Sequence, residues 1–173
     1  FGQLQAQNCV GTMLRNGLGV SSNKDQAVFW FRKAANSGDP EAQFNLGEML
    51  YDGDGIPQDE ESAVPLLEAA AQCGLADAQY KLGCALEFGQ GTGVDKKRAR
   101  FLMQRASLQG MPEALYIVGS HHFLGDGVPE DKAKAAECFL RAAEEGHAMS
   151  QYSLGVLFEM GEGVEKNENK AQL

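Results

Sequence analysis

The sequence predicts an all-α fold, a right-handed superhelical solenoid of antiparallel helix pairs. Three observations predict it. A pattern of glycine and alanine recurs every 36 residues, and the apolar residues within each repeat follow helical spacing. Glycines also stand where such helices would end. Helices of roughly 12 to 14 residues are marginal alone in water. Neighbouring repeats must therefore stack to cover the apolar faces of each pair.

The 36-residue period runs through the whole chain without an insertion. Residues that occupy the same position in successive repeats form a column. Three such columns contain only glycine: Gly11, Gly47, Gly83, Gly119 and Gly155; Gly17, Gly53, Gly89, Gly125 and Gly161; and Gly19, Gly55, Gly91, Gly127 and Gly163. The predicted repeats are 6–41, 42–77, 78–113, 114–149 and a partial 150–173. We expect this single array to be a fragment of a longer one.

The first helix of each repeat, helix A, is predicted from stretches such as AQFNLGEMLY, residues 42–51. Its apolar residues fall on one helical stripe: Phe44, Leu46, Met49 and Leu50. Gly53 then supplies a left-handed C-terminal cap. Glycine inside this helix, as at Gly47, costs about 1 kcal/mol relative to alanine. We therefore expect a neighbouring helix to approach closely at that position.

The second helix, helix B, begins after a side chain that can accept first-turn N–H groups. The predicted N-caps are Asn23, Asp59, Asp95, Asp131 and Asn167. Trp30 lies in the apolar stripe of this helix, and we expect it to be buried. Pro65 falls inside helix B of the second repeat, where it should kink the helix or delay its start to Ser62.

Charge and composition narrow the possible partners. With 15 Lys and Arg against 24 Asp and Glu, the formal charge of −9 disfavours nucleic acid and anionic lipid surfaces. No apolar run is long enough to cross a bilayer, so we expect a soluble segment without membrane insertion. The four cysteines lack short metal-ligand spacings, and free thiols favour a reducing compartment, the cytoplasm or an organelle matrix.

Two features suggest metal sites, but neither fits one well. The stretch YDGDGIPQDEE, residues 51–61, suggests a calcium loop. Counted from Asp52, however, the loop has Ile56, Pro57 and Ala63 where an EF-hand needs an oxygen ligand, glycine and glutamate. His121 and His122 are adjacent on a helix and point about 100° apart, so they cannot jointly hold one metal. Packing is the favoured role of the histidines, with a ligand or pH-sensing role as the alternative. We predict no metal and no cofactor.

Several runs carry a family resemblance: AQFNLGEML, FLGDGVPED, KDQAVFWFRKAANSG and AAECFLRAAEEG. They resemble the Sel1-like repeat, a relative of the tetratricopeptide repeat, through all five units. The resemblance implies an adaptor that binds other proteins and is not an enzyme. A cysteine-rich bacterial subclass carries a disulfide in each repeat. The corresponding positions here hold Ala35 and Gln43, Ala71 and Gln79, and Ala143 and Gln151, so no such disulfide is expected.

By analogy with related helical repeats, helix A lines an inner, concave wall and helix B an outer one. The predicted partner-binding residues on the inner wall are Glu41, Phe44, Glu48, Asp77, Tyr80, Phe88, Glu113, Tyr116, Ser120, Tyr152, Val156 and Met160. Their aromatic members form a ladder with an acidic border, which suits a protein or peptide bearing basic residues. The alternative is that these aromatics pack between repeats.

Two functional hypotheses follow. In the first, the chain is a non-catalytic scaffold that holds a partner against its concave face. In the second, it is a structural or assembly-factor subunit of a large complex and contacts its neighbours through the outer helices and ends. No set of acid, base and nucleophile stands out from the repeat background, so we predict no enzymatic activity.

Overall fold

The computed structural model describes residues 2–167 and 169, and this part of the chain is all helical. Its nine helices are α1 Gly2–Asn16, α2 Lys24–Ala35, α3 Pro40–Asp52, α4 Glu60–Gln72, α5 Ala76–Phe88, α6 Lys96–Leu108, α7 Pro112–Leu124, α8 Lys132–Glu144 and α9 Ala148–Met160. The predicted all-α class of repeated helix pairs is confirmed. Odd-numbered helices correspond to helix A and even-numbered helices to helix B.

The chain divides into two compact units, Phe1–Ala99 and Arg100–Leu173. Unit 1 contains α1 to α5, and within it each helix packs on the next along the chain. Unit 2 contains α7, α8 and α9, which pack in the same sequential way. The boundary falls inside α6. Each unit has an apolar core of its own, built around Phe31 in unit 1 and around Phe139 in unit 2.

The predicted caps of helix B are confirmed in four repeats. Asn23, Asp59, Asp95 and Asp131 each accept a hydrogen bond of 3.0 Å from the backbone N–H three residues later. These bonds satisfy N–H groups that would otherwise have no partner in the first turn. The helix predicted to follow the fifth cap, Asn167, lies outside the described residues.

Pro65 lies inside α4 without delaying its start. The helix begins at Glu60, directly after the Asp59 cap, so the predicted delay to Ser62 is wrong. Pro65 is exposed, as is Glu61, whose carbonyl would otherwise accept a hydrogen bond from residue 65. Because both residues are exposed, water can replace the missing donor, and the helix continues to Gln72.

The glycine inside helix A does meet a close neighbour, but the neighbour is a side chain. A Cβ at Gly119 would stand 2.7 Å from Cε1 of Phe139, and one at Gly47 would stand 3.2 Å from the Leu67 side chain. Both contacts come from helix B of the same repeat. The neighbouring helix thus approaches closely, as expected, and the glycine makes room for one of its large apolar side chains.

The prediction that Trp30 is buried is wrong. Trp30 is half-buried, whereas the adjacent Phe31 is fully buried and lies in the core. The indole contacts the exposed Phe29 edge-on, with ring centroids 5.5 Å apart, and the Lys33 ammonium lies 5.2 Å from its ring. The rest of the predicted apolar stripe, Ala27, Phe31 and Ala34, is buried.

A column of glutamines links the helix pairs in a way that the sequence analysis did not foresee. The side-chain amides of Gln43, Gln79 and Gln151 donate to the carbonyl eight residues earlier, at 3.5, 3.2 and 3.3 Å. The acceptors are Ala35, Ala71 and Ala143. These are the same pairs of positions that would carry the disulfide of the cysteine-rich subclass. In this chain a hydrogen bond spans each of them, and all four cysteines are free.

We expect Gln79→Ala to lower the free energy of unfolding by about 1–3 kcal/mol, because it leaves the buried Ala71 carbonyl without this donor. Gln43→Ala is the matched control, since Gln43 is only half-buried and its bond is longer. This substitution should lower the free energy of unfolding by less than about 1 kcal/mol. Urea unfolding followed by circular dichroism measures both variants. Equal losses would contradict the structural role of the buried amide.

Candidate functional site

The twelve predicted partner-binding residues are shared equally by the two units. Unit 1 holds Glu41, Phe44 and Glu48 on α3 and Asp77, Tyr80 and Phe88 on α5; unit 2 holds Glu113, Tyr116 and Ser120 on α7 and Tyr152, Val156 and Met160 on α9. All twelve retain at least partial exposure to solvent. The surroundings of these residues differ between the units, and each unit is described separately.

In unit 1, polar side chains bridge α1 and α3. The Arg15 guanidinium contacts Glu48 at 2.7 Å and Asp54 at 2.8 Å, and Lys24 also pairs with Asp54. The Asn8 amide donates to the Glu41 carboxylate at 3.2 Å. Two of the predicted acidic contacts, Glu41 and Glu48, are therefore already engaged within the unit.

The pKa of Asp54 reflects this bridge. Hydrogen bonds from Lys24 and then from Arg15 lower the pKa of the Asp54 carboxyl below its usual range. A carboxylate held in this way stays ionised and keeps both cations in place at neutral pH. The bridge thus neutralises part of the acidic border that the sequence predicted for a basic partner.

A second polar contact lies between α3 and α5. The Lys81 ammonium contacts Asp52 at 2.7 Å and lies 4.9 Å from the Tyr51 ring. The Tyr51 hydroxyl donates to Gln90 at 2.6 Å, and burial is the main cause that raises the pKa of Tyr51 to about 12. Phe88, at the end of α5, remains 72% exposed.

In unit 2, the corresponding surface is an open apolar groove of about 320 Å³. Its lining residues are Tyr116, Ser120, Phe123 and Leu124 of α7, Phe139 of α8, and Tyr152, Ser153, Val156 and Leu157 of α9. Four of them belong to the predicted set: Tyr116, Ser120, Tyr152 and Val156. The structure thus brings predicted residues from two helices together around one cavity.

Aromatic contacts fix the walls of this groove. Phe139 is 4% exposed, and its ring centroid lies 5.7 Å from that of Tyr116. The His147 ring also lies beside Tyr116, with ring centroids 5.2 Å apart. His147 caps α9 by accepting from the Ser150 N–H at 3.2 Å. Tyr152, in contrast, is 70% exposed and stands at the rim.

The period of the chain explains why one unit has bridges and the other a groove. Three repeats after Asn8 and Glu41 the chain has Tyr116 and Met149, and three repeats after Arg15 and Glu48 it has Phe123 and Val156. Two polar pairs that join α1 and α3 in unit 1, Asn8–Glu41 and Arg15–Glu48, thus correspond to Tyr116–Met149 and Phe123–Val156 in unit 2. Apolar pairs cannot form these hydrogen bonds, and their surfaces remain available.

The predicted set lacks five of the groove residues: Phe123, Leu124, Phe139, Ser153 and Leu157. A signal for Phe123 was present, because its column holds Arg15 in the first repeat, and a change from cation to aromatic marks a change of role. Phe139 and Leu157 carried no such signal. Both are nearly buried core residues, and the cavity reaches them only through the packing of three helices.

The side chains that line the groove are suited to recognition of a partner's shape. Within the described residues, no three His, Cys, Asp or Glu side chains come together as a metal site. Burial raises the pKa of the Cys84 and Cys138 thiols, which makes these thiols less reactive. Among the described helices, none has the length and apolar character needed to cross a membrane.

Comparison with known protein families gives one match along nearly the entire chain. The Sel1 repeat model matches residues 4–39, 40–75, 76–111, 112–147 and 148–172, and successive matches begin 36 residues apart. No curated protein sequence matches the chain.

Solved structures match the chain over almost its full length. The Escherichia coli protein c5321, described as a protective antigen present in uropathogenic strains displaying an SLR fold, is 31% identical, with a TM-score of 0.89 over 99% of this chain. The chain spans 37% of that protein. A Sel1 repeat protein from Oxalobacter formigenes is 32% identical, with a TM-score of 0.88 over 98% of this chain and 67% of that one.

A third structure shares the fold alone. The immunity protein Pa5087 from Pseudomonas aeruginosa is 22% identical, with a TM-score of 0.65 over 98% of this chain and 62% of that one.

Proposed function

Because the chain belongs to the Sel1 repeat family, whose members generally mediate protein–protein interactions and are typically non-catalytic, we propose that it is a non-catalytic adaptor. It binds a partner protein or peptide on the predicted inner wall, in the groove between α7 and α9. One observation carries the proposal: where unit 1 has the polar pairs Asn8–Glu41 and Arg15–Glu48, unit 2 has Tyr116, Met149, Phe123 and Val156, and all of these except Met149 line a cavity.

The groove favours a partner with an apolar anchor. A large side chain inserted between Tyr116 and Val156 would cover aromatic and aliphatic surface, which is the usual source of affinity at such sites. Glu113 lies one turn before Tyr116 on α7, and Glu159 lies one turn after Val156 on α9; both are exposed. Basic residues on either side of the anchor would complement them.

Site-specific photo-cross-linking tests this function. A photoreactive amino acid at Tyr152 should capture a partner that mass spectrometry can identify. The affinity of that partner is then measured for Phe123→Arg combined with Val156→Glu, which copies the Arg15–Glu48 pair of unit 1 into the groove. We expect at least about tenfold weaker binding, because a charged pair replaces the apolar contact surface.

Phe88→Glu is the matched control. Phe88 is an exposed apolar residue of the predicted wall, but it lies on α5 in unit 1 and does not line the groove. Its substitution should leave the affinity unchanged within about twofold. A partner that binds the double variant as tightly as the unaltered chain would refute the groove as its binding site.

The outer helices support a second candidate, a structural or assembly-factor subunit of a large complex. Phe101 and Leu108 of α6 are 59% and 74% exposed, and both belong to unit 2. Large apolar side chains exposed on a helix B could contact neighbouring subunits. A photoreactive residue at Phe101 distinguishes the candidates, since capture at Phe101 without capture at Tyr152 would favour the structural subunit.

A further inference from the structure

The helix α6 differs in charge from the other described B helices. It carries five Lys and Arg residues and no Asp or Glu, in a chain whose formal charge is −9, whereas α2, α4 and α8 each contain acidic residues. Two of the cations form ion pairs within unit 1, Lys96 with Glu87 at 3.5 Å and Arg98 with Glu68 at 2.8 Å. Arg105, in unit 2, is exposed and forms no ion pair with the residues that the structure describes.

Large apolar side chains lie on both sides of Arg105. Phe101 precedes it by four residues and Leu108 follows it by three, so all three side chains share one face of α6. Both apolar residues are mostly exposed, and the Arg105 guanidinium lies 6.0 Å from the Phe101 ring. The opposite face of the helix supplies the buried Leu102 and Met103. The exposed face therefore presents a cation between two apolar side chains.

The equivalent positions of α8 show how a helix face in water is built in this chain. One repeat later, the same three positions hold Glu137, Arg141 and Glu144, all of them exposed. There the arginine has a glutamate one turn away on each side, which is typical of a solvated helix face. The fold thus accepts charged residues at these positions, and packing of a B helix does not require Phe101 or Leu108. Their exposure points to a contact with another molecule.

A second helix is the partner that fits this face best. The backbone groups along the middle of α6 are already hydrogen-bonded, so an extended peptide finds no strand edge to pair with. Phe101 and Leu108 are seven residues apart, about 10.5 Å along the axis, which matches two turns of a helix packed beside α6. An anionic lipid surface fits less well, because Leu102 and Met103 are buried in the fold and the whole chain is acidic.

From these observations we propose that the face of α6 formed by Phe101, Arg105 and Leu108 binds an acidic amphipathic α-helix of a partner protein. Apolar side chains of that helix cover Phe101 and Leu108, and an Asp or Glu between them pairs with Arg105. This face shares no residue with the groove between α7 and α9. The proposal gives the outer-helix candidate a partner of defined chemistry, and it holds whether or not the groove binds a partner.

Fluorescence anisotropy of a labelled peptide tests the proposal on the intact chain. The probe is a synthetic helical peptide made of three copies of LEEALEA, which has leucines on one face and glutamates on the other. The acidic chain repels such a peptide outside its few basic regions, so general electrostatic attraction does not imitate binding. We expect saturable binding, and weaker binding when glutamine replaces every glutamate of the peptide.

Variants of the chain make the test specific. Arg105→Glu should weaken binding at least about tenfold, because it places like charges opposite each other. Phe101→Ala combined with Leu108→Ala should also weaken binding at least about tenfold, through the lost apolar contacts. Arg141→Glu is the matched control, since it makes the same charge change at the equivalent exposed position of α8. Its affinity should stay within about twofold of that of the unaltered chain.

Two results of this titration would overturn the proposal. One is the absence of saturable binding at millimolar peptide. The other is an equal effect of Arg105→Glu and Arg141→Glu, which would show that only the total charge of the chain matters. Circular dichroism establishes that the variants, all at exposed positions, keep the fold. None of them changes a groove residue, so the outcome does not depend on the occupant of the groove.

Flotation with phosphatidylglycerol vesicles tests the lipid alternative. We expect the unaltered chain to remain unbound, because its net charge has the same sign as that of the vesicles. Flotation of the chain that Arg105→Glu abolishes would assign the α6 face to lipid and overturn the proposal.

Discussion

Replacing Gly91 by alanine should lower the free energy of unfolding by about 3 kcal/mol, through backbone strain together with steric overlap. Gly91 has a φ of +66°, a region in which a residue with a Cβ is strained. It also lies directly against the first residue of α4. An alanine Cβ at this position would overlap the carbonyl oxygen and carbon of Glu60.

The overlap at Gly91 cannot be relieved cheaply, because it involves backbone atoms. Glu60 directly follows the Asp59 cap, and the cap is tied to the Ser62 N–H at 3.0 Å. Moving the Glu60 carbonyl would disturb the first turn of α4 and the packing of Val64 beneath it. The loop after α5 thus fits against the start of α4 only when residue 91 has no side chain.

Gly19→Ala is the matched control for this prediction. Gly19 occupies the same column and has a φ of +73°, but a Cβ there would meet no atom within 4 Å. Its substitution should lower the free energy of unfolding by about 1–2 kcal/mol, from backbone strain alone. Urea unfolding of the two variants separates strain from overlap. Equal losses of unfolding free energy would show that the contact between residue 91 and Glu60 does not affect stability.

This glycine column also shows how far the sequence could predict the fold. The recurrence of the column predicted a turn in every repeat, and positive φ at Gly55, Gly91 and Gly127 agrees with it. What touches each glycine could not be predicted. Lys24 and Arg100 side chains lie against Gly55 and Gly127, where they can shift, whereas a backbone carbonyl lies against Gly91. Such differences depend on the packing of adjacent repeats.

The sequence also could not predict which residues of helix B are most deeply buried. A helical stripe with 3.6 residues per turn leaves adjacent positions such as Trp30 and Phe31 about equally close to the core. Both are large apolar residues, but the Trp30 indole lies half-buried beside Phe29, whereas the Phe31 ring lies over Gly11. Only the position of α1 relative to α2 decides between the two.

The candidate site was predictable in part. The aromatic column placed Tyr116 and Tyr152 on one surface, because residues one repeat apart occupy equivalent places in adjacent helices. The ion pair of Arg15 with Glu48 was not predicted, since it joins two helices across 33 residues and requires side chains to extend towards each other. The change from Arg15 to Phe123 was visible in the sequence, but the ion pair that Arg15 makes became visible only in the structure.

The largest loss of stability is expected for Phe31→Ala, which should lower the free energy of unfolding by about 3–5 kcal/mol. Phe31 is fully buried, and its ring lies over the backbone of α1 at Gly11. A Cβ at Gly11 would stand 2.6 Å from Cε1 of the ring, so no neighbouring side chain occupies that space.

The surroundings of Phe31 explain why the cavity should persist. Ala27 and Ala34, its neighbours on α2, are too small to fill the space, and Gly11 has no side chain to contribute. Closing the cavity would require α1 and α2 to move together, which the packing of α2 on α3 opposes. The loss should therefore include the cavity term as well as the lost burial of the ring.

Phe29→Ala tests this explanation on the same helix with the same chemical change. Phe29 is 61% exposed and contacts only the edge of Trp30 among aromatic rings of the described residues. The substitution should lower the free energy of unfolding by less than about 1 kcal/mol, since contacts of exposed side chains contribute little to stability. Thermal unfolding of the two variants, followed by circular dichroism, measures the difference. A loss for Phe29→Ala as large as that for Phe31→Ala would mean that the stability of α2 does not depend on the ring lying over Gly11. The glycine inside helix A would then need a different explanation.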